Sequence, residues 1–441
     1  MDQVNHARPM TMPHSLYDIR RFPPALLWCF AILLYSCGAF AQQVRTITLE
    51  ECYQLAETNY PLSRQRGLIR KTEGYTLENL AKGIYPQLDV NGMATYQSDV
   101  TNLSVPGFIS IKIPKDQYGV YGEVSQTISD FGINKQNREL SRTAAALQEE
   151  NLNTQLFALK DRINQLFFGV LLIDGQLDQN ELSKQDIQTG MANVQTAIQN
   201  GTDFRSSFNK LKAELLKTDQ HSIDLLASRK AYVDMLGLFI HQRIDDSTEF
   251  IPPAVPTLSD SLDRPELRAY DLQTKSYIEQ QRLTKISNYP HLSAFFRGGI
   301  ARPSPLNLLA ETLTPYYITG LRLDWTIGGL YTYRKDRLIN ANNQEMVLTE
   351  RNTFLFNTTL TLHQEDADIT RYRQFIRSDN EIVDLRDSVK QTSAVQLQNG
   401  VLSVNDYLLD IRAASEARQD RVVHEIQLLL SQYAHKITTG H

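Results

Sequence analysis

The stretch LNTQLFALKDRINQLFFGVLLIDGQL, running from Leu152 to Leu177, decides the fold. Its apolar residues Leu152, Leu156, Leu159, Ile163, Leu166, Val170, Ile173 and Leu177 advance in alternating steps of four and three. An α-helix completes a turn in about 3.6 residues, so a sustained 3.5-residue repeat draws a seam down one side that calls for a partner helix. Ile187, Met191, Val194 and Ile198 resume the seam, and no proline interrupts Asn134 to Gln199. That span predicts one helix of about 100 Å at about 1.5 Å rise per residue. Asn200-Gly201 reads as its C-cap, and a second helix starts near Phe204 with Asp203 as its N-cap.

Outward from this stretch, the chain repeats itself. Pro61, Tyr85, Pro86 and Leu88 recur as Pro265, Tyr289, Pro290 and Leu292 at a constant offset of 204 positions. Asn200-Gly201 recurs as Asn399-Gly400, and Asp130-Phe131-Gly132 finds a loose counterpart in Ile327-Gly328-Gly329. Four matches at one offset, with the others in the same order, indicate a duplicated unit. The organisation expected is a leader over 1–41, a first repeat over 42–245, a proline-rich linker over 246–263 and a second repeat over 264–441. The linker carries Pro252, Pro253 and Pro256, which hold it extended.

Each repeat opens with a helix of about 30 residues. In the first, Thr48-Leu49-Glu50-Glu51 is a capping box and Tyr85-Pro86 is the stop. Two stretches of period-two alternation follow. Leu88, Val90, Ala94 and Tyr96 alternate with polar neighbours, as do Val120, Gly122, Val124 and Ile128; the second repeat matches them over 292–301 and 317–325. These predict β-hairpins over 88–128 and 292–327, joined by loops holding Pro106, Pro114, Pro303, Pro305 and Pro315, with strands of about ten residues, the length that crosses a membrane. A helical hairpin closes each repeat, with tips near 200–203 and 399–403. One segment fits poorly: Thr353 to Leu362 alternates like a strand, and only its position in the repeat makes it helix.

Composition narrows the class. The chain has 441 residues, 45 basic and 50 acidic, for a net charge of −5, which builds no field for a polyanion, and no nucleic-acid partner is expected. Mean hydropathy of −0.35 excludes a polytopic helical membrane protein and leaves a β-barrel open. Arg20-Arg21, the apolar run Ala25 to Tyr35 and Ala39-Phe40-Ala41 make up a secretory signal, with cleavage expected after Ala41. Cys29 and Cys37 would leave with it, and Cys52 alone forms no internal disulfide.

Four amphipathic strands cannot close a membrane barrel, since the smallest need about eight, and open edges are not tolerated in lipid. The chain must share a barrel with copies of itself: two would supply eight strands, three would supply twelve. The segments Ile47-Thr48-Leu49-Glu50-Glu51, Asn59-Tyr60-Pro61-Leu62, Ile84-Tyr85-Pro86-Gln87-Leu88 and Gln398-Asn399-Gly400-Val401-Leu402-Ser403-Val404-Asn405-Asp406-Tyr407-Leu408, in this order, resemble the TolC family of outer-membrane efflux proteins. The resemblance runs from Thr46 to about Ile437. It implies a mainly α protein with a small β part, a homotrimer whose twelve-stranded barrel in outer-membrane lipid continues into a twelve-helix periplasmic barrel. It implies as partners a periplasmic adaptor and an inner-membrane transporter. The alternative is a periplasmic coiled-coil adaptor or scaffold without a pore.

By position after the tip glycine, the resemblance places Asp406 in a periplasmic gate and Asp410 one residue off a second acidic position. Gly201, Thr202, Gly400, Val401, Leu402 and Ser403 become the adaptor-docking tips, although the first tip lacks the apolar residues that the family often carries after its glycine. Tyr96, Tyr118, Tyr316, Tyr317 and Trp325 are candidates for the aromatic girdles of a barrel. The chain lacks G-x-S-x-G, a P-loop and H-E-x-x-H, and the acidic run His363 to Asp368 spreads round a helix as a solvated face. No enzyme activity, cofactor or metal is expected.

Overall fold

The computed structural model describes residues 45–105, 109–259 and 261–441. The signal segment 1–41 and Pro106 lie outside them. Residues 47–246 and 250–441 form one packed unit; a minor unit includes Thr46 and residues 247–249, with the Glu249 N–H donating to the Arg45 carbonyl at 2.9 Å.

The elements in chain order are β1 (Thr46–Ile47), α1 (Leu49–Asn59), α2 (Gln65–Lys82), β2 (Gln87–Tyr96), β3 (Asn102–Val105), β4 (Ile109–Lys112), β5 (Asp116–Ser129) and α3 (Ile133–Phe157). There follow α4 (Leu159–Gln199), α5 (Arg205–Ile240), β6 (Glu249–Phe250), α6 (Pro265–Ile286), β7 (His291–Arg302), β8 (Thr314–Asp324), α7 (Gly329–Gln398) and α8 (Val404–Thr439). Thr48 caps α1 by accepting from the Glu51 N–H at 3.3 Å.

Several expectations need adjustment. The first helix is two helices, split by a 3₁₀ turn at Pro61–Arg64, because Pro61 lacks the N–H that would continue α1. The span 134–199 breaks once, at Ala158, whose backbone stays right-handed at φ −62° and ψ −16°. A short hairpin, β3 with β4, sits between β2 and β5 where only a loop was expected. Asp203 is not the N-cap of α5; Phe204 is, and the Asp203 carboxylate instead accepts from the Phe204 N–H at 2.6 Å and the Ser207 hydroxyl at 2.7 Å.

The alternating segment inside α7 is helical. Thr349, Thr353, Thr358, Thr359 and Thr361 each turn the hydroxyl back to the carbonyl four residues earlier, at 2.8 to 3.1 Å. That bond satisfies each hydroxyl within the helix without adding helical preference, so the segment is helix through its place in the packed hairpin.

Strands β2, β5, β7 and β8 form one antiparallel sheet in that order. The β5–β7 pairing joins the two halves of the chain, with Val120 opposite Ile300 and Val124 opposite Phe296. The sheet is open: β2 and β8 each have an outer edge with no partner strand among the described residues. Pro315 lies in β8, where an absent N–H costs no ladder bond if it faces the free edge.

Helices α4 and α5 form one hairpin, α7 and α8 the other, and α4 also lies along α8. Two apolar clusters hold them. The first gathers Cys52, Phe167, Phe168, Val170, Leu236, Ile240 and Phe250; the second, near the tips, gathers Ile187, Val194, Leu211, Leu397, Tyr407 and Ile411.

Candidate functional site

The two hairpin tips turn by the same device. At the first, the Gly201 N–H donates to the Ile198 carbonyl at 3.0 Å and the Thr202 N–H to the Ala197 carbonyl at 2.9 Å. At the second, the Gly400 N–H reaches Leu397 at 3.0 Å and the Val401 N–H reaches Gln396 at 2.9 Å. Both are Schellman caps, and both glycines take the left-handed conformation the motif requires, φ +72° and +70°. A cavity of about 390 Å³ opens between the tips, and Thr202, Gly400, Leu402 and Ser403 line it together with Asp203 and Lys210. Gly201 is not on its wall, and neither is Val401, whose side chain is 78% exposed.

The acidic candidates are both engaged. Ser403 is the N-cap of α8: its hydroxyl oxygen accepts from the Asp406 N–H at 3.3 Å and donates to the Asp406 carboxylate at 2.7 Å. Asp406 thus sits exposed at the positive end of the helix dipole. Asp410 turns toward α7, where its carboxylate accepts from the buried Ser393 hydroxyl.

Just above the tips lies a group that sequence reasoning missed. Lys390 from α7 places its ammonium 2.7 Å from Asp186 of α4 and 3.7 Å from Asp387. Arg418 from α8 donates to Asp387 at 3.2 Å and stands 3.7 Å from Asp186. Two cations and two carboxylates from three helices therefore meet in one largely enclosed cluster. Beside it, the Tyr407 hydroxyl donates to the Asp186 carbonyl at 3.1 Å, and burial pushes its phenol up to about 12. The ring comes close over Gly190, where an added Cβ would come within 2.5 Å of it. Arg412 of α8 donates to Glu214 of α5 at 2.9 Å and holds that carboxyl below its ordinary range. Only the i,i+3 pair Asp387–Lys390 was visible in one dimension; Arg418 reaches Asp387 across 31 residues, and the bonds to Asp186 cross more than 200.

At the sheet, the alternation separates two faces. Leu88, Val90, Val124, Phe296, Leu321 and Leu323 share the exposed apolar face, and Phe296 stacks on Tyr317 with ring centroids 6.2 Å apart. Tyr96 and Tyr118 stand on this face at the end nearest β3 and β4, and Trp325 follows the other end, donating to the Asn288 carbonyl at 3.0 Å. Tyr316 does not join them. As the neighbour of Tyr317 in a strand it points to the opposite, polar face. There Glu123, 7% exposed, accepts from Arg297 and Arg322, both at 2.8 Å, tying β5, β7 and β8 together. The Arg297 guanidinium also covers the Tyr121 ring at 4.5 Å.

Among the described residues no cluster of histidine, cysteine and carboxylate side chains has the arrangement of a metal site. No described helix is long and apolar enough to cross a membrane.

One chain thus joins a four-stranded sheet with an exposed apolar face to two long helical hairpins. No family model matches the sequence, and no curated protein matches it. Solved structures do. The outer membrane protein VceC of Vibrio cholerae matches with a TM-score of 0.64 at 13% identity, over 89% of this chain and 96% of that one. The CmeC outer membrane channel of Campylobacter jejuni matches with a TM-score of 0.63 at 11% identity, over 98% and 94%. The open state of the Neisseria gonorrhoeae MtrE outer membrane channel gives 0.64 at 13% identity, over 89% of each chain. These neighbours are channels of the TolC family, and at such identities what the chain shares with them is the fold.

Proposed function

We propose that the protein is an exit duct of the outer membrane: a homotrimer in which three four-stranded sheets close a twelve-stranded barrel and the helical hairpins form a periplasmic tunnel. The observation that carries this reading is the pair of free edges on a sheet whose apolar face is exposed. In lipid an unpaired edge leaves backbone groups unsatisfied at several kcal/mol each, so β2 of one copy must pair with β8 of the next. Helix α7 supports it: of 70 residues only eight are buried, while Ile339, Met346, Phe356, Leu360, Ile382 and Leu385 are exposed. Neighbouring copies would cover them. A coiled-coil adaptor has no use for the apolar sheet.

On this reading the tips take a periplasmic adaptor and receive cargo from an inner-membrane transporter, with Gly201, Thr202, Gly400, Val401, Leu402 and Ser403 as the docking surface. Asp406, at the tip and exposed, contributes a ring of carboxylates that attracts cations to the entrance, and Asp410 braces α8 against α7 behind it. The test has two parts. Light scattering on detergent-extracted protein from separated membranes should give three chains per particle in the outer-membrane fraction; a monomer, or an inner-membrane species, sinks the duct. In planar bilayers Asp406→Ala should lower cation preference, and an unchanged single-channel record removes Asp406 from the gate.

A further inference from the structure

Where α4 begins, α6 begins, α7 passes its midpoint and α8 takes its last turn, carboxyl groups gather about Arg264. Asp161 comes from α4, Arg264 and Glu266 from the start of α6, Glu365 and Asp366 from α7, His435 and Thr438 from α8. Arg264 is already committed. Its Nε donates to Glu266 at 2.9 Å, an Nη reaches the other oxygen of the same carboxylate, and its remaining Nη donates to the Ile437 carbonyl at 3.0 Å. Its flat face lies 4.9 Å from the Phe157 ring centre and 5.7 Å from that of Phe354. Nearby Lys160 and Lys436 are turned to the rings of Tyr53, Phe157 and Tyr433.

Glu365 is left with one donor, the Thr438 hydroxyl at 2.8 Å on Oε1. Its Oε2 is buried and has no hydrogen-bond partner. His435, buried as well, has Nε2 3.4 Å from Asp366 and an unpartnered Nδ1. A carboxylate needs donors on both oxygens to offset its lost hydration, and here the surroundings supply like charge instead. The neutral acid is the form that this junction accepts.

We propose that Glu365 is a proton-operated switch at the junction of α4, α6, α7 and α8: protonated, it lets α7 close on the last turn of α8, and ionised, it loosens that contact. Burial first, and then the Asp161 and Asp366 charges, push its carboxyl from the ordinary 4.5 up to about 7, against the opposing pull of Thr438 and Arg264. Asp161 is raised in the same direction by its own burial. A carboxyl whose folded value lies above its unfolded one holds its proton more tightly when folded. Junction packing is therefore intact at pH 4.5 and below, weakens as pH rises toward about 7, and stays weakened beyond.

Hydrogen exchange of the full-length, detergent-extracted protein tests this, followed by mass spectrometry on peptides covering 360–370 and 430–441 and corrected for intrinsic rates. Protection in the wild type should fall by about five-fold or more between about pH 5 and pH 8.5. Glu365→Gln should make the profile flat and protected, and Asp161→Asn should lower the midpoint. A flat wild-type profile overturns the proposal. So does a pH dependence that survives Glu365→Gln; its disappearance in His435→Gln would then assign the titration to the histidine. Should Glu365→Gln fail to fold, an unmoved midpoint in Asp161→Asn overturns it equally.

Discussion

At the residue scale, the tips rest on two glycines with φ near +70°. Neither has a heavy atom within 4 Å of where a Cβ would stand, so a substitution there meets backbone strain rather than a clash. Gly400→Ala should cost about 1 kcal/mol, and Gly400→Asn less, because asparagine tolerates the left-handed region. Thermal unfolding of the two variants should rank them in that order; equal midpoints would mean that the turn carries no strain. These positions were legible, since Asn-Gly after a heptad seam signals a Schellman cap without help from the rest of the chain. The capping of α8 by Ser403, with Asp406 three residues on, was not read from the sequence, where the two residues stood only as docking and gate candidates. Neither was Gly190. Its need for a bare backbone arises only when Tyr407, from the other half of the chain, is laid across it.

At the scale of elements, the heptad seam foretold two helical hairpins but could not say how they are fastened together. The fastening includes the cluster of Asp186, Asp387, Lys390 and Arg418, balanced two against two. Removing Lys390 leaves two carboxylates to share the one guanidinium of Arg418 in a confined place. Lys390→Ala should therefore destabilise the tip region by about 3 kcal/mol, whereas replacing the set by apolar residues of similar volume should be close to neutral. Local hydrogen exchange in α4 and α7 around the cluster would measure both, and equal effects would deny the four residues their standing as a unit. The threonine-rich part of α7 was ambiguous for a definable reason. Its alternation suits a strand, and the hydroxyl-to-carbonyl bonds that make it compatible with a helix are not a feature of pattern. The split at Pro61 could have been read from the proline alone; the reading of one helix from the capping box to Tyr85-Pro86 passed over it.

At the scale of the whole molecule, the alternating segments revealed both faces of the sheet and nothing of its order. That β5 lies beside β7, so that the chain's halves meet in one sheet, depends on pairing over about 170 residues, which periodicity does not encode. The Glu123 tie to Arg297 and Arg322 follows from that order and was equally hidden. The apolar face is open to a direct test. Leu321→Arg should cost about 2–4 kcal/mol if that face meets lipid, and should lower the yield in the outer membrane while leaving helix content by circular dichroism unchanged. An unaffected yield would place the face in water or against protein.

The two free edges have a genetic corollary. If each chain's β2 completes its neighbour's β8, a copy with a spoiled edge does not merely fail; it occupies a place in the ring and ruins its companions. Made in equal amounts beside a sound copy, and mixing at random in threes, it would leave about one assembly in eight free of it. Such an allele would be dominant, and the cell would lose far more than half of its ducts.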